Sequence, residues 1–177
     1  MKMEIKKTIF KNLLEIKFKK HQDSRGSFVK VFNKSNSKQF TNNCYESYLS
    51  ISKKGSFRGL HAQAGRYAQD KLVYCVKGKI LDIAVDIRKN LKTYGKIYKK
   101  KINSKDSIAI FVPKGFIHGI IALENQTIVV TYCSKPYNLS KEFGVKPDSL
   151  PIIMPKIKLL ISQKDKKLPT FNEFIKK

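Results

Sequence analysis

The sequence predicts an all-β fold, and three observations carry the prediction. Short runs rich in Val, Ile, Phe and Tyr recur along the chain, separated by Gly, Pro and Asn clusters, the punctuation of sandwiches and barrels. The middle of the chain, Lys71 to Arg88, holds two extended runs, LVYCV and ILDIAVDIR, broken by Lys77-Gly78, which reads as a β-hairpin with a tight glycine turn. Helical signal stays weak until the C-terminus, where Thr170 is placed to cap Phe171 to Ile175, with Glu173 at the matching capping-box position.

Taken in order, the segment 6–15 reads equally well as a short strand or a turn. Strands are then expected at Phe28–Phe32, Tyr45–Ser52, Phe57–His61, Leu72–Val76 and Lys79–Asp86, followed by Tyr94–Lys100, Ser107–Val112, Ile117–Ala122 and Ile128–Cys133. In the fifth of these, alternation places Leu81, Ile83, Val85 and Ile87 on one face and Asp82, Ala84 and Asp86 on the other. Two readings of that polar face stand open: the carboxylates meet water, or they line a barrel interior and belong to a site.

A chain of 177 residues suits one well-cored domain, so 1–177 is expected to be a single unit. No apolar run approaches the roughly 18 residues of a membrane span, and the lysine-rich N-terminus lacks the apolar stretch of a signal peptide. A soluble, cytoplasmic protein with no membrane partner is expected. Cys44, Cys75 and Cys133 are odd in number and widely spaced, which favours packing over disulfide, zinc or redox chemistry. The net charge of +24 invites a nucleic-acid reading, but 33 of the 37 basic residues are lysine and they spread along the whole chain. Recognition of nucleic acid leans on arginine and on a concentrated basic face, so no nucleic-acid partner is expected. A diffuse positive field still favours a small anionic substrate such as a sugar nucleotide.

The chemistry lies in two stretches, Arg58-Gly59-Leu60-His61-Ala62-Gln63 and Pro113-Lys114-Gly115-Phe116-Ile117-His118-Gly119, each with a histidine beside glycine in a chain of three histidines. Both histidines are expected to project from one β scaffold. Pro113-x-Gly115-x-x-His118 has the spacing of the second cupin motif, so a cupin-type jelly-roll barrel with short peripheral helices is the expected architecture. The first cupin motif would bring two histidines spaced HxH and then a glutamate; here that position reads His61-Ala62-Gln63 and no glutamate follows within reach. Two histidines alone are too few for an iron, manganese or zinc site, so no metal and no cofactor are expected. A histidine without metal duty can act as a general base near neutral pH.

The chain resembles the dTDP-4-dehydrorhamnose 3,5-epimerase family, cupin-like jelly rolls that dimerise. The resemblance runs through Asp23-Ser24-Arg25-Gly26-Ser27-Phe28, Arg58 to Gln63, Lys71-Leu72-Val73, Asp82 to Arg88 and Thr93-Tyr94-Gly95. It continues through Pro113 to Gly119, Cys133 to Asn138 and Ile161 to Asp165. It implies cofactor-free epimerisation of a nucleotide-diphospho-4-keto sugar, in which the proton at C3, and in many members also at C5, is lost to an enolate and returned from the opposite face. His61 matches the base, Asp165 the carboxylate that orients it, and Lys71 the cation beside the enolate oxygen, with Asp82 placed to position that lysine. Arg25 and Arg58 match residues that clamp the diphosphate, Arg25 reaching across a homodimer. Phe28, Gln63, His118 and Tyr137 lie in the matched stretches and complete the expected substrate-binding set.

Two departures stand out. The family's general acid is a tyrosine six residues before Tyr137, and here that position is Thr131, with Tyr132 one place along. A local bulge could bring Tyr132 round as the catalytic acid, Tyr137 or a water could supply the proton, or the acid is absent. Glu46 and Tyr48 stand where the family usually has glutamine and asparagine, which suggests a nucleotide other than thymidine, guanine being the base whose N–H groups suit a carboxylate. The expected role is sugar-nucleotide processing for capsule or lipopolysaccharide. The competing readings are a C3-only epimerase, a 3,4-ketoisomerase on the same barrel, and a silent sugar-nucleotide-binding homologue.

Overall fold

The computed structural model describes residues 3–32 and 44–176. Its strands are β1 (Met3–Lys7), β2 (Leu14–Phe18), β3 (Lys20–Asp23), β4 (Gly26–Val29), β5 (Glu46–Ser52), β6 (Ser56–Gln63) and β7 (Lys71–Lys77). They continue as β8 (Lys79–Asp86), β9 (Ile97–Asn103), β10 (Ile108–Val112), β11 (Phe116–Ala122), β12 (Thr127–Cys133), β13 (Glu142–Gly144) and β14 (Leu160–Ile161), followed by the short helices α1 (Gln163–Lys166) and α2 (Phe171–Ile175). The segment 6–15 proves to be the end of β1, a turn and the start of β2. The strand expected at Phe28–Phe32 is the short β4, and the one expected from Tyr94 starts only at Ile97, because Thr93 to Gly95 form a turn. Thr170 and Glu173 form the expected capping box on α2.

The chain is an all-β jelly roll of two packed sheets. The first has the order β1-β2-β10-β7-β12-β5 and the second β13-β6-β11-β8-β9, with β14 paired to β6. One sequence-based expectation fails here. β7 and β8 do not form a hairpin; they lie in different sheets, and Lys77-Gly78 is the corner between them. The reason lies in burial. Both runs are buried on both faces over most of their length, so each takes a central position with two flanking strands: β10 and β12 for the first, β11 and β9 for the second. Gly78 has φ +83°, and a Cβ there would lie 2.6 Å from Thr127 Oγ1, so the corner accepts only glycine without a shift.

The alternation of β8 is resolved the same way. Ala84 packs with Val73, Ile110 and Val112 between the sheets, whereas Leu81, Ile83 and Val85 face outward under Val145, Leu150 and Phe171 of the C-terminal segment. Asp82 and Asp86 therefore point inward, and both are fully buried. Asp86 sits at one end of the sandwich, where Arg88 donates two side-chain hydrogen bonds and Thr93 one. Burial alone would raise its pKa, but those donors outweigh it and hold the carboxyl below its ordinary value. Cys75 and Cys133 are buried and Cys44 is half-buried, all three as free thiols. Among the described residues no helix is long and apolar enough to cross a membrane.

Candidate active site

The two histidines stand side by side. β6 and β11 pair antiparallel with His61 directly opposite His118, and the register slips between His118 and Ile120. Glycine permits that approach: a Cβ on Gly59, at φ +107°, would lie 2.5 Å from the His118 carbonyl oxygen, and one on Gly119 would lie 2.6 Å from the Arg58 carbonyl oxygen. The glycines that flank the histidines thus let two backbones close on each other and aim both imidazoles into one cleft.

His61 is bracketed by carboxylates. Its Nε2 lies 2.6 Å from Asp165 Oδ1 and its Nδ1 3.5 Å from Glu142 Oε1. Asp165 is buried in the first turn of α1, where the Ser162 side chain caps the helix by accepting the Asp165 N–H. With the ring proton on Nε2, donated to Asp165, the lone pair lies on Nδ1. Glu142, on the three-residue β13, pairs in turn with the Lys164 ammonium. Its place beside the histidine was not foreseen, since a strand this short leaves no alternation to read.

His118 is less open. Its Nε2 meets Asp82 Oδ2 at 2.9 Å, with the ring 8% exposed and the carboxylate sealed. Asp82 thus stands behind His118 and takes no part in lining the cleft, which corrects its expected place among the substrate-binding groups and as a direct partner of Lys71. Its other oxygen, Oδ1, has no hydrogen-bond partner. Asp82 still acts on Lys71 through its field. Burial pushes the Lys71 ammonium below its ordinary pKa, against the opposing pull of Cys133, Glu142, Asp82 and Glu46.

The cleft has two adjoining compartments. The larger, about 530 Å³, takes in Arg58, His61, Lys71, His118, Thr131 and Asp165; the smaller, about 300 Å³, takes in Glu46, Gln63, Gln69, Lys71, Tyr137 and Glu142. Tyr48, His61 and Lys71 line both. These volumes suit a small molecule of sugar-nucleotide size. Arg58 is held by Ser52 Oγ at 2.9 Å and the Ile51 carbonyl at 3.2 Å. Gln63 Oε1 accepts the Asn138 N–H at 2.9 Å, and Glu46 accepts from the Tyr137 N–H at 3.2 Å and from Gln69 at 3.5 Å.

Three expected residues fall elsewhere. Thr131 pairs with Tyr48 and Tyr132 with Ser47, in regular register along β5, so no bulge turns Tyr132 inward. Tyr132 lies on the outer face, stacked on Phe32 with ring centroids 5.6 Å apart, and is removed from the candidate catalytic set. Arg25 and Phe28 line a separate, exposed groove on the β3–β4 hairpin, where Arg25 pairs with Asp23 at 2.6 Å. Within one chain neither reaches His61. Among the described residues no group of three or more His, Cys, Asp or Glu side chains is placed to hold a metal ion.

A jelly roll with a histidine–aspartate pair and a partly buried lysine in one cleft is equipped to move protons at carbon, the chemistry of an isomerase. The comparisons make the assignment specific. The family model described as dTDP-4-dehydrorhamnose 3,5-epimerase matches residues 7–173, and the chain belongs to that family. It is 31% identical over 180 residues to the dTDP-4-dehydrorhamnose 3,5-epimerase of Escherichia coli K12, covering 98% of this chain and 97% of the relative. The Legionella pneumophila dTDP-6-deoxy-D-glucose-3,5-epimerase, solved with dTDP-4-keto-L-rhamnose, superposes with a TM-score of 0.91 at 29% identity, covering 97% of this chain and 94% of that one. A 3′-monoepimerase from Streptomyces bikiniensis in complex with dTDP-quinovose follows with a TM-score of 0.86 at 25% identity, covering 93% and 86%.

Proposed function

We propose that this protein epimerises a nucleotide-diphospho-4-keto sugar at C3, and in the same cleft at C5, through an enolate and without a cofactor. The observation that carries the reading is His61, fixed by Asp165 and sharing both compartments with the Lys71 cation. Nδ1 of His61 takes the proton alpha to the ketone, and the electrons of the broken C–H bond pass into the enolate. Lys71 faces the charge that collects on oxygen; in a dry site one such group lowers the barrier by about 3 kcal/mol. A proton delivered to the opposite face restores the ketone with inverted configuration, and nothing is oxidised or reduced overall.

Arg58 holds the diphosphate from the rim of the larger compartment, which His118, supported by Asp82, also lines, while Gln63, Glu46 and Tyr137 meet the sugar in the smaller one. The Glu46 carboxylate is already engaged by the Tyr137 N–H and Gln69, which leaves the guanine reading without geometric support, so dTDP sugars head the list of substrates. Arg25 and Phe28 complete the site of a second protomer in a homodimer. The outer face of the first sheet supports pairing, since it leaves Leu49, Ile51 and Val76 about half exposed. Sugar supply for capsule or lipopolysaccharide is the role this activity serves.

The test is proton NMR in deuterium oxide with dTDP-, UDP-, CDP- and GDP-linked 4-keto sugars, comparing the native chain with His61→Asn. Deuterium entry at C3 and C5 with inversion supports the full reading; entry at C3 alone makes the protein a monoepimerase. Absence of exchange with every sugar sinks the proposal.

A further inference from the structure

Inversion needs two proton-bearing groups on opposite faces of the sugar, and the position where the family carries the second is Thr131. We infer that Tyr48 is the proton donor, acting from β5 across the same rung of the sheet. The inference rests on the epimerase reading above and goes beyond it by assigning the donor.

Three features of the geometry support it. First, Tyr48 and Thr131 are direct cross-strand partners, and both line the cleft. Side chains paired across a rung have their Cβ atoms only about 5 Å apart, so a tyrosine moved from β12 to β5 still addresses the same space. Second, Tyr48 belongs to the first sheet and His61 to the second, and with Lys71 they are the residues shared by both compartments. A sugar ring lying between the sheets therefore presents one face to His61 and the other to Tyr48. Third, the alternatives are placed wrongly. Tyr132 lies on the far side of the sheet. Tyr137 stands on the His61 side of the cleft, its hydroxyl bonded to Glu142 at 3.3 Å, and Glu142 lies beside His61 itself. A proton from there would return to the face it left. Cys133 is sealed, its thiol pushed up to about 11 by burial.

The state of the phenol suits the task. About half of Tyr48 is open to solvent. Its hydroxyl is the desolvated end, and burial pushes it well above the ordinary phenol value, with Cys133 adding to the shift and the Thr131 side chain opposing it. Tyr48 therefore stays protonated throughout the working pH range, yet a phenol remains far more acidic than the C–H bond it must form. In the step, the Tyr48 O–H bond breaks as the enolate electrons form the new C–H bond; once product leaves and water enters the cleft, the phenolate is reprotonated and His61 gives up the proton it took, so both groups return to their starting state.

The test compares Tyr48→Phe with the native chain in deuterium oxide, following C3 exchange and C3 inversion separately. The expected result is inversion slowed 10²- to 10⁴-fold, with His61-dependent deuterium entry at retained configuration kept within a few-fold. Inversion at the native rate overturns the assignment, and so does loss of exchange together with inversion in a folded variant. The double variant Tyr48→Asn/Thr131→Tyr returns the tyrosine to β12 and carries the test if Tyr48→Phe does not fold. It is expected to invert at least tenfold faster than Tyr48→Phe, or, where that variant does not fold, within about a hundredfold of the native rate; exchange without inversion overturns the equivalence of the two rung positions. A native chain that exchanges no ketosugar at all overturns the epimerase reading itself, a result distinct from each of these.

Discussion

The two walls of the cleft have diverged to different degrees from the pattern that the family resemblance implies. The wall built by β6, β11, β13 and α1 brings together His61 on Asp165, His118 beside it and Arg58 at the rim, the positions that match the family motifs. The wall built by β5, β7 and β12 keeps Lys71 but has threonine where the acid is expected and tyrosine one strand away. On the proposed mechanism, the difference teaches that taking a proton and returning it are separable demands. Removal needs a base locked by a partner, and a shift of one residue in His61 would break its contact with a helix 104 positions further on. Delivery needs only a donor on the far side of the ring, and two neighbouring strands can each offer one.

The comparison can be broken or sharpened by substitution, beginning with the wall that carries His61. His61→Asn is expected to lower exchange and inversion together by about 10³- to 10⁴-fold, read by deuterium incorporation; a loss confined to inversion would reverse the roles of the two walls. Lys71→Met should lower kcat by about 10²- to 10³-fold with a smaller effect on KM, because the lysine meets charge that is absent in the bound ketone and develops as the proton leaves. The pH profile carries its own sign. Burial lowers the Lys71 pKa from 10.5, so the ammonium is lost, and kcat falls, at a pH below that of an ordinary lysine. Lys71→Arg should move this alkaline limb upward if the variant retains activity. Arg58→Ala should raise KM about tenfold and leave kcat nearly untouched, as loss of one charge-assisted contact to a diphosphate implies. Thr131→Val is the mildest, with inversion changed by less than about threefold, since the hydroxyl only flanks the donor; a large loss there would return the acid role to β12.

Much of the first wall was legible because its information is local. Glycine near histidine, twice, marks two stretches of one β scaffold, and the motif around Asp165 carries the family resemblance that implies its pairing with His61. The Ser162 cap that holds Asp165 is seen only in the structure. The second wall depends on which strand lies across from which, and one strand's alternation does not carry that. Parity along β12 correctly warns that Tyr132 and Thr131 face opposite ways, yet only the register with β5 brings Tyr48 opposite Thr131. The sheet change at Gly78 was hidden for a related reason. A short glycine break between two apolar runs looks alike whether the strands fold back on each other or part into separate layers, and the outcome is decided by burial of both faces of each run. Asp82 was legible as inward or outward but not as the support of His118, since that contact joins strands 36 residues apart.

The seam between Gly59 and Gly119 has a consequence for how such a chain can change over generations. Because any side chain at either position collides with the opposing backbone, each position is closed to drift while the other strand stays where it is. Neutral substitution is thereby pushed away from the histidines and toward the roomier, solvent-reaching β5. Lineages of this family should accordingly differ in the β5 wall long before they differ at the β6–β11 seam, and a search for unusual specificities among them is best begun along that strand.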